Sequence, residues 1–259
     1  MGDEAAPLAL VVGGGSGIGA AVGAAHRAAG GTVVVWDVAG DRDVTCDVTD
    51  PAAIDAAVVE TRRRWGVPRW VTITAGIGHA GMLAEAGTEE FDAIMTVNAR
   101  GPWLCMRAWL GPMDDDSVQG SFVATSSISA RVADRSMGLY CASKAALSML
   151  VRVAALEWGP RGIRVNAVAP GVTRTPMLGR GPAATVEGSP WLAHVAERTA
   201  LGRLGEAADV AGVVLGLHAM EWVTGQVLEC DGGLALHSPI DAYGEMTRAR
   251  DRGAGMGSG

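Results

Sequence analysis

The chain has 259 residues, of which 49% are hydrophobic, and it carries a formal net charge of −7 at pH 7. This composition supplies the core of one domain and excludes a disordered chain, while the scattered Lys and Arg residues exclude a basic surface for nucleic acid or an acidic membrane. Four cysteines without CxxC spacing, an acidic N-terminus and the lack of a long uncharged apolar run predict a cytoplasmic protein with free thiols and no membrane segment.

Strand-like and helix-like segments alternate along the chain. Short apolar runs predict strands at 8–12, 32–36, 70–74, 121–126, 163–169 and 226–230. Helical patterns predict helices at 17–29, 51–65, 89–110, 140–158 and 207–219, with a loop and a short helix within 171–200. Asp50 followed by Pro51 is typical of an N-cap and a first helical residue. This alternation predicts βαβ units, right-handed crossovers and a parallel sheet.

A glycine-rich turn follows the first strand, with Gly13, Gly17 and Gly19 in the sequence GGGSGIG. Glycines allow a tight strand-to-helix turn, and they let a pyrophosphate approach the backbone N–H groups at a helix N-terminus. Asp37 ends the next strand 18 residues after Gly19 (37 − 19), close to the position expected of a ribose-binding acid. A plain turn and a solvated aspartate are the alternatives, but this context predicts a dinucleotide site.

Asp37 also indicates which dinucleotide is bound. Its carboxylate would accept hydrogen bonds from the ribose hydroxyls and would repel a 2′-phosphate. No Lys or Arg occupies positions 14–16 or 38–40, and Arg42 is the nearest cation. The sequence therefore favours NAD (NADH) as cofactor, with NADP as the remaining alternative.

Tyr140 and Lys144 lie four residues apart and therefore on one face of the predicted helix. A free phenol, with a pKa of about 10, is a weak base at neutral pH, and a nearby ammonium favours its ionised form. This pair predicts a general acid/base at Tyr140. The alternative is a core aromatic residue beside a lysine whose stem covers it.

Several motifs occur in a fixed order: GGGSGIG, CDV at 46–48, AG at 75–76, TVNARG, ATSSISA, YCASK and NAVAPGVTRT at 166–175. In that order the chain resembles the short-chain dehydrogenase/reductase family, classical type, over nearly its whole length. The resemblance implies a single-domain Rossmann fold at 1–246, with a doubly wound sheet of about seven strands and helices on both faces. It also implies a cofactor-binding half at about 8–126 and a catalytic and substrate half at about 127–246, followed by a flexible tail at 247–259.

The resemblance implies hydride transfer between a nicotinamide and a small-molecule alcohol or ketone. Tyr140 would act on the substrate oxygen, Ser127 would hydrogen bond to that oxygen, Lys144 would also hold the nicotinamide ribose, and Asn98 would hold a water that links Lys144 to solvent. Ser127 is preferred to Ser126 because it lies 13 residues before Tyr140 (140 − 13). The implied cofactor contacts are Gly13, Ser16, Gly17, Ile18, Gly19, Asp37, Asp47, Val48, Ala75, Gly76, Tyr140, Lys144, Val172 and Thr175.

The walls of the substrate pocket are predicted from two loops, and ordinary packing is the alternative for each residue. The candidates are Ser129, Met137, Met177, Leu178 and Trp191, which suit an apolar alcohol or ketone of medium size. Cys141 is interpreted as core filler, and His79 and His194 as residues at the pocket rim. The acidic run at 114–116 is interpreted as a solvated turn, so no metal is predicted.

Two departures from the family pattern stand out. The usual NNAG is replaced by ITAG at 73–76, so Thr74 is expected to brace the central sheet less fully than asparagine would. Between Asp37 and Asp47, the sequence VAGDRDVTC leaves room for only a turn and a short strand. This shortening trims one edge of the sheet and exposes the adenine.

Other functions and assemblies remain open at this point. An NADPH-dependent β-ketoacyl or polyketide-type ketoreductase is the main alternative, and a non-catalytic nucleotide-binding regulatory protein is a weaker one. The helix at 140–158 is apolar nearly all round, so it must bury both faces. We therefore expect a homotetramer, as in the family, or a homodimer. Pro239, Ile240 and Tyr243 are predicted to reach a neighbouring subunit or to cap the pocket.

Overall fold

A parallel sheet of seven strands lies at the centre of the computed structural model, which describes residues 7–178 and 189–236. Its strands are β1 (Ala9–Val12), β2 (Val33–Asp37), β3 (Val44–Thr45), β4 (Trp70–Ile73), β5 (Ser121–Thr125), β6 (Arg164–Pro170) and β9 (Val227–Cys230). Two short strands, β7 (Thr173–Arg174) and β8 (Gly205–Glu206), lie outside this sheet. The order across the sheet is β3-β2-β1-β4-β5-β6-β9, and β7 pairs separately with β8. This order confirms the predicted α/β fold of Rossmann type.

Helices cover both faces of the sheet. They are α1 (Gly17–Ala28), α2 (Pro51–Trp65), α3 (Thr88–Met95), α4 (Gly101–Ala108), α5 (Leu110–Asp115), α6 (Gly138–Trp158), α7 (Pro190–Arg198) and α8 (Ala207–Ala219). The bounds predicted for α2 are confirmed because local signals set them. The Asp50 carboxylate accepts the Ala52 N–H at 2.9 Å, Pro51 is the first helical residue, and Gly66 ends the helix at φ +96°.

Alternate residues of each strand face two separate cores. On one face, Val11 packs in a cluster with Val22 of α1 and Val214 of α8. On the other face, Leu10 belongs to a larger cluster that draws residues from α2, α4 and α6. Neighbouring strand residues are buried on opposite faces, as in a parallel sheet covered on both sides. The sheet therefore forms a rigid base for groups at the carboxyl ends of its strands.

The single helix predicted at 89–110 is wrong in one respect that matters for the site. A π-helical turn, Thr96–Arg100, separates α3 from α4, and Trp109 separates α4 from α5. Pro102 lies at the start of α4 and has no backbone N–H, so it cannot donate to the carbonyl of Asn98 as the same position would in a regular α-helix. Short π-helical turns are frequent at functional sites, and Asn98 lies inside this one.

The acidic run at 114–116 is exposed to solvent, as expected, and it also forms ion pairs that were not predicted. Arg62 of α2 pairs with Asp115 at 3.1 Å and with Asp116 at 2.6 Å, and Arg161 pairs with Asp114. These ion pairs tie the end of α5 to α2 and to the turn after α6. Among the described residues, no group of three His, Cys, Asp or Glu side chains is arranged to hold a metal ion.

Helix α6 has the length and hydropathy of a membrane-spanning helix, although the sequence analysis predicted no membrane segment. The stretch Gly138–Arg161 has 24 residues, and an 18-residue segment within it has a mean hydropathy of 1.4, so by length and composition alone it could cross a bilayer. Its inner side packs in the core through Leu147 and Val151. Its outer side exposes a stripe of Met149, Val153 and Leu156, which are 57%, 43% and 81% exposed. The prediction that both faces need burial thus matches the composition of the helix.

A buried polar cluster lies at the opposite, amino ends of the strands. His218 of α8 contacts the Thr72 hydroxyl at 2.9 Å through Nε2 and the Ser121 hydroxyl at 3.0 Å through Nδ1. Its ring stacks on Trp70, with 5.1 Å between centroids and an interplanar angle of 7°. Both ring nitrogens therefore have partners, which is what a buried imidazole requires.

Candidate active site

The glycine-rich turn lies where the strand order changes direction, between β1 and its two neighbours β2 and β4. In open α/β sheets, ligands bind in the crevice at such a point, outside the carboxyl ends of the strands. Gly13 has φ +80°, and a Cβ on it would lie 2.5 Å from the Ala75 backbone nitrogen. A Cβ on Gly19 would lie 2.3 Å from the Gly13 carbonyl oxygen. The turn therefore needs glycine at both positions.

The N-terminus of α1 emerges from this turn. Ser16 is its N-cap with extended backbone, and its side chain makes no capping hydrogen bond within the described part of the chain. The first N–H groups of α1, around Gly17 and Ile18, therefore lack the side-chain cap that many helices have. A phosphate would satisfy such N–H groups and would also be favoured by the helix dipole. These residues fit the pyrophosphate of a dinucleotide.

Asp37 lies at the end of β2 beside the turn and is only partly buried. Its Oδ2 accepts the Gly15 N–H at 2.8 Å, and its Oδ1 accepts the N–H groups of Val38 at 2.7 Å and Ala39 at 3.1 Å. Two carboxylate oxygens offer about four acceptor sites, so one remains for a ligand hydroxyl. The three backbone bonds fix the carboxylate where a 2′-phosphate would meet its charge.

The remaining predicted cofactor contacts lie around the same crevice, in different environments. Asp47 is exposed and accepts both the N–H and the hydroxyl of Thr49 at 2.8 Å, whereas the Val48 side chain is buried in the core. The side chain of Thr175 would be 3.5 Å from a Cβ on Gly17, which brings the segment after β7 against the start of α1. Val172 packs beside the small cluster of α7.

Thr74 braces the central sheet through both its hydroxyl and its backbone N–H. Its hydroxyl lies 3.0 Å from the Val12 carbonyl oxygen and 2.9 Å from that of Gly13, and its N–H also donates to Val12. A Cβ on Gly19 would lie 2.5 Å from this hydroxyl. The threonine therefore joins the end of β4 to the glycine-rich turn, with the one hydroxyl proton shared between two carbonyl oxygens.

Tyr140, Lys144 and Ser127 meet at the carboxyl end of β5. Tyr140 and Lys144 are one turn apart on α6, and the Lys144 Nζ lies 5.7 Å from the centroid of the Tyr140 ring. The Ser127 hydroxyl lies near enough to the phenol to lower the pKa of Tyr140. The Lys144 ammonium is buried and donates to the Thr125 carbonyl oxygen at 2.9 Å. A Cβ on Gly76 would be 3.4 Å from that ammonium, so the loop after β4 closes the same space.

The pKa values in this group differ from the simple expectation. Burial raises the pKa of the Tyr140 phenol, and the hydrogen bond from Ser127 opposes that rise. Lys144 is therefore not the main influence on the phenol in the protein alone, contrary to the sequence argument. Burial also lowers the pKa of Lys144 to about 8. Both shifts follow from removing a charge from water. The shift of Lys144 moves its pKa towards neutral pH, whereas the shift of Tyr140 moves its pKa away from neutral pH.

Asn98 lies in the π turn, fully buried, and its side chain clamps both backbone polar groups of one residue, Ile77. Its Oδ1 accepts the Ile77 N–H at 2.8 Å, and its Nδ2 donates to the Ile77 carbonyl oxygen at 2.9 Å. Nδ2 also donates to the Ser143 hydroxyl at 3.1 Å. Asn98 therefore joins the loop after β4 to α6, close to both Gly76 and Lys144.

The choice between the two serines after β5 agrees with their positions. Ser126 turns away from Tyr140: its hydroxyl contacts the Ser148 hydroxyl at 2.7 Å and donates to the Lys144 carbonyl oxygen at 3.2 Å. Ser127 faces the phenol. Sequence reasoning assigned no role to Ser143 or Ser148, although both are buried hydroxyls on an alanine-rich helix. The Thr125 carbonyl contact was also missed, and a backbone group leaves no sequence signal.

The predicted substrate residues are less closely grouped than the catalytic ones. Ser129 is buried in the 3₁₀ turn after Ser127, and Met137 is the N-cap of α6. Met177 and Trp191 are 45% and 46% exposed, whereas Leu178 packs against the α7 cluster. Pro239, Ile240, Tyr243 and the tail at 247–259 lie outside the described residues. Cys141 is partly buried, and its thiol lies 3.9 Å from the Val132 carbonyl oxygen.

Comparisons with known proteins point in one direction. A family model described as enoyl-(acyl carrier protein) reductase matches residues 13–235. A 2,5-dichloro-2,5-cyclohexadiene-1,4-diol dehydrogenase of Sphingobium indicum is 34% identical over 249 residues, which covers 90% of this chain and 98% of that one. A 3-alpha-(or 20-beta)-hydroxysteroid dehydrogenase of Mycobacterium bovis is 33% identical over 241 residues, covering 87% and 88%.

Solved structures agree with these sequence matches. A crystal structure of a short-chain type dehydrogenase/reductase from Mycobacterium marinum has a TM-score of 0.82 and 28% identity, covering 90% of this chain and 97% of that one. The matches span both the glycine-rich turn and the Tyr140 helix. The chain belongs to the short-chain dehydrogenase/reductase family.

Proposed function

We propose that the protein is an NAD-dependent dehydrogenase or reductase that interconverts a secondary alcohol and a ketone, with Tyr140 as general acid/base. The observation that carries this proposal is the meeting of Tyr140, Lys144 and Ser127 beside the Asn98 clamp, at the crevice of a dinucleotide-binding fold. Membership of the family makes the protein an oxidoreductase that acts on alcohols or ketones with a nicotinamide cofactor. The choice of NAD and the residue roles are our proposal.

The protein's own residues handle the proton of the reaction. Tyr140 takes the proton from the substrate hydroxyl during oxidation and returns it during reduction. Ser127 hydrogen bonds to the same oxygen and stabilises its developing charge. The Lys144 ammonium, one turn from the phenol, passes the proton on towards a water held at Asn98. A bound nicotinamide would supply the hydride acceptor or donor.

The preference for NAD is argued from Asp37. Its carboxylate is fixed by three backbone N–H groups, so it cannot turn away from an incoming ribose. Arg42 is the nearest cation in sequence, and its guanidinium is engaged with the Thr45 hydroxyl and the Gly40 carbonyl oxygen, both at 2.9 Å. A 2′-phosphate would therefore be repelled by the Asp37 carboxylate, and the Arg42 guanidinium would not offset that repulsion.

The substrate class is proposed from the pocket and the relatives. The two relatives named above are dehydrogenases of a cyclic diol and of hydroxysteroids. Met177 and Trp191 offer exposed apolar surface, and Met177 lies near Gly78 of the loop after β4. We propose a ring-containing secondary alcohol, or the corresponding ketone, with largely apolar surroundings.

A substrate panel with Tyr140→Phe tests the proposal. Wild type is assayed with NAD⁺ and NADP⁺ on aliphatic, cyclic and steroid-like alcohols, dihydrodiols and polyols, by absorbance of the reduced nicotinamide. Tyr140→Phe should lower kcat by about 10²–10⁴-fold and leave the Kd for NADH within two-fold. Cys141→Ala is the matched control, and it should keep full activity. Full activity of Tyr140→Phe would refute the role of the phenol.

A ketoreductase of thioester-bound substrates is the second candidate. The description of the matching family model, an enoyl-(acyl carrier protein) reductase, names a carrier-bound acyl substrate, although that reaction reduces a C=C bond and not a ketone. It predicts a preference for NADPH and turnover of β-ketoacyl thioesters, which belong in the same panel. Activity on those thioesters with NADPH alone would replace the first proposal.

The exposed stripe on α6 supports a homotetramer or homodimer, and a cytoplasmic location stays a prediction. Met149, Val153 and Leu156 form an apolar face on the helix that also carries Tyr140 and Lys144. A second copy would remove that face from water. Sedimentation at micromolar concentration should give more than one chain per particle, and a monomer would contradict the proposed assembly.

A further inference from the structure

Ser143 is a fully buried hydroxyl that the chemistry above does not use. It lies on α6 between Tyr140 and Lys144, at 0% exposure. Its Oγ donates to the Tyr140 carbonyl oxygen at 2.8 Å and accepts from the Asn98 Nδ2 at 3.1 Å. One hydroxyl therefore links two residues assigned to catalysis.

The donor and acceptor roles in this link are fixed by chemistry. A carbonyl oxygen can only accept, so the Ser143 hydroxyl donates its proton to the backbone carbonyl oxygen of Tyr140. The Ser143 oxygen then accepts a hydrogen bond from the Asn98 side-chain amide. The second proton of Nδ2 goes to the Ile77 carbonyl oxygen, while Oδ1 receives the Ile77 N–H. The Asn98 amide is thus held from both sides, by the loop after β4 and by α6.

The backbone around Asn98 departs from a regular α-helix. Asn98 lies within the π turn Thr96–Arg100, and Pro102 has no N–H to donate to its carbonyl oxygen. The side-chain bonds to Ile77 and Ser143 therefore carry much of its positioning. Ile77 fixes Asn98 against the loop after β4, and Ser143 fixes it against α6, the helix that carries Lys144.

We propose that Ser143 is a positioning residue, which holds Asn98 and its π turn in register with α6 so that Asn98 and Lys144 keep the spacing for proton transfer. This inference rests on the proposed function. Its alternative is a serine that only bonds back to its own helix, at the preceding turn. The two differ in one respect: only the positioning role acts through Asn98.

A double-mutant cycle separates the two roles. The variants are Ser143→Ala, Asn98→Ala, the double variant and Ser143→Thr, which keeps a hydroxyl. Ser121→Ala is the matched control, because it also removes a buried serine hydroxyl from a hydrogen bond, the one to His218 at the far end of β5. Each variant is measured for kcat, for KM, for the Kd of NADH and for melting temperature.

Loss of one neutral hydrogen bond should lower kcat in Ser143→Ala by about five-fold, with the Kd for NADH within two-fold. Ser143→Thr should recover most of that loss. In the Asn98→Ala background, Ser143→Ala should change kcat by less than about two-fold, since coupled residues are not additive. Ser121→Ala should lower the melting temperature and leave kcat unchanged.

An equal loss of kcat in both backgrounds, or no loss in Ser143→Ala, would overturn the positioning role. The ¹⁵N NMR signal of the Asn98 side-chain amide gives a readout that needs no turnover. Its exchange with solvent should be slow in wild type and faster in Ser143→Ala, and equal rates would also overturn the proposal. Failure of the proposed function is distinguishable, because wild type itself would then show no Tyr140-dependent turnover.

Discussion

The buried His218 predicts a specific weakening of the fold in mild acid. Burial lowers the pKa of His218 from 6.5 to about 3, and the nearby charges of Arg164 and His26 act in the same direction. The imidazole is therefore neutral in the folded protein, with both nitrogens bonded to hydroxyls of Thr72 and Ser121. In the unfolded chain it takes up a proton at the ordinary pKa.

The sign and size of the effect follow from proton linkage. The contribution is complete above pH 6.5 and is lost as the pH falls from 6.5 towards 3, because only the unfolded state binds the proton in that window. At pH 5, protonation favours the unfolded state by a factor of about 30, from the difference of 1.5 between 6.5 and 5. That factor corresponds to about 2 kcal/mol of unfolding free energy.

Urea unfolding at pH 8 and pH 5 measures this contribution in wild type and in His218→Gln. Glutamine retains a donor and an acceptor for the two hydroxyls but does not titrate. Between the two pH values, wild type should lose about 2 kcal/mol more unfolding free energy than the variant. Protein and salt concentrations are held constant, because assembly also affects stability.

His194→Gln is the matched control for this experiment. His194 lies on an exposed position of α7, so its replacement should leave the pH dependence of wild type unchanged. If His218→Gln and wild type lost the same free energy between pH 8 and pH 5, the imidazole would not be buried as a neutral group. The reasoning from its surroundings would then be refuted.

Two further predictions concern the cofactor crevice. Asp37→Ala should lower the ratio of kcat/KM for NAD⁺ to kcat/KM for NADP⁺ by about 10–100-fold. The reason is that hydrogen bonds to a carboxylate are lost and the repulsion of a 2′-phosphate is removed. An unchanged ratio in initial-rate assays would mean that Asp37 does not contact the ribose. Gly19→Ala should weaken NADH binding at least about ten-fold by fluorescence titration, because its Cβ would lie 2.3 Å from the Gly13 carbonyl oxygen. In Gly212→Ala, where the added Cβ meets nothing within 4 Å, binding should be unchanged; equal affinities in the two glycine variants would contradict the steric argument.

Local signals explain why most elements could be predicted from the sequence. Asp50, Pro51 and Gly66 mark both ends of α2, and α8 was also predicted with its observed bounds. Continuous apolar runs of β-branched residues indicated the central strands, with errors of one or two residues at their ends. Asn98, Ser127, Tyr140 and Lys144 were found through motif order, and they lie together in the structure.

The features that were missed depend on contacts between distant segments. One extra residue in a helical turn leaves no mark on periodicity, so the π turn at Thr96–Arg100 was not foreseen. The bracing by Thr74 depends on how close the Gly13 carbonyl lies, and the ion pairs of the acidic run depend on Arg62 and Arg161. The direction of the Tyr140 pKa shift was missed because burial, its largest cause, cannot be read from spacing.

The parallel strands separate the two polar clusters of the protein along their length. β4 begins at Trp70, beside His218, and leads to Ala75 at the crevice, while β5 begins at Ser121 and leads to Ser127. Substitutions at the starting ends can therefore raise or lower tolerance to acid and heat without touching a group assigned to hydride or proton transfer. For protein engineering, the amino ends of β4 and β5 are the place to adjust robustness, and the carboxyl ends are the place to adjust selectivity.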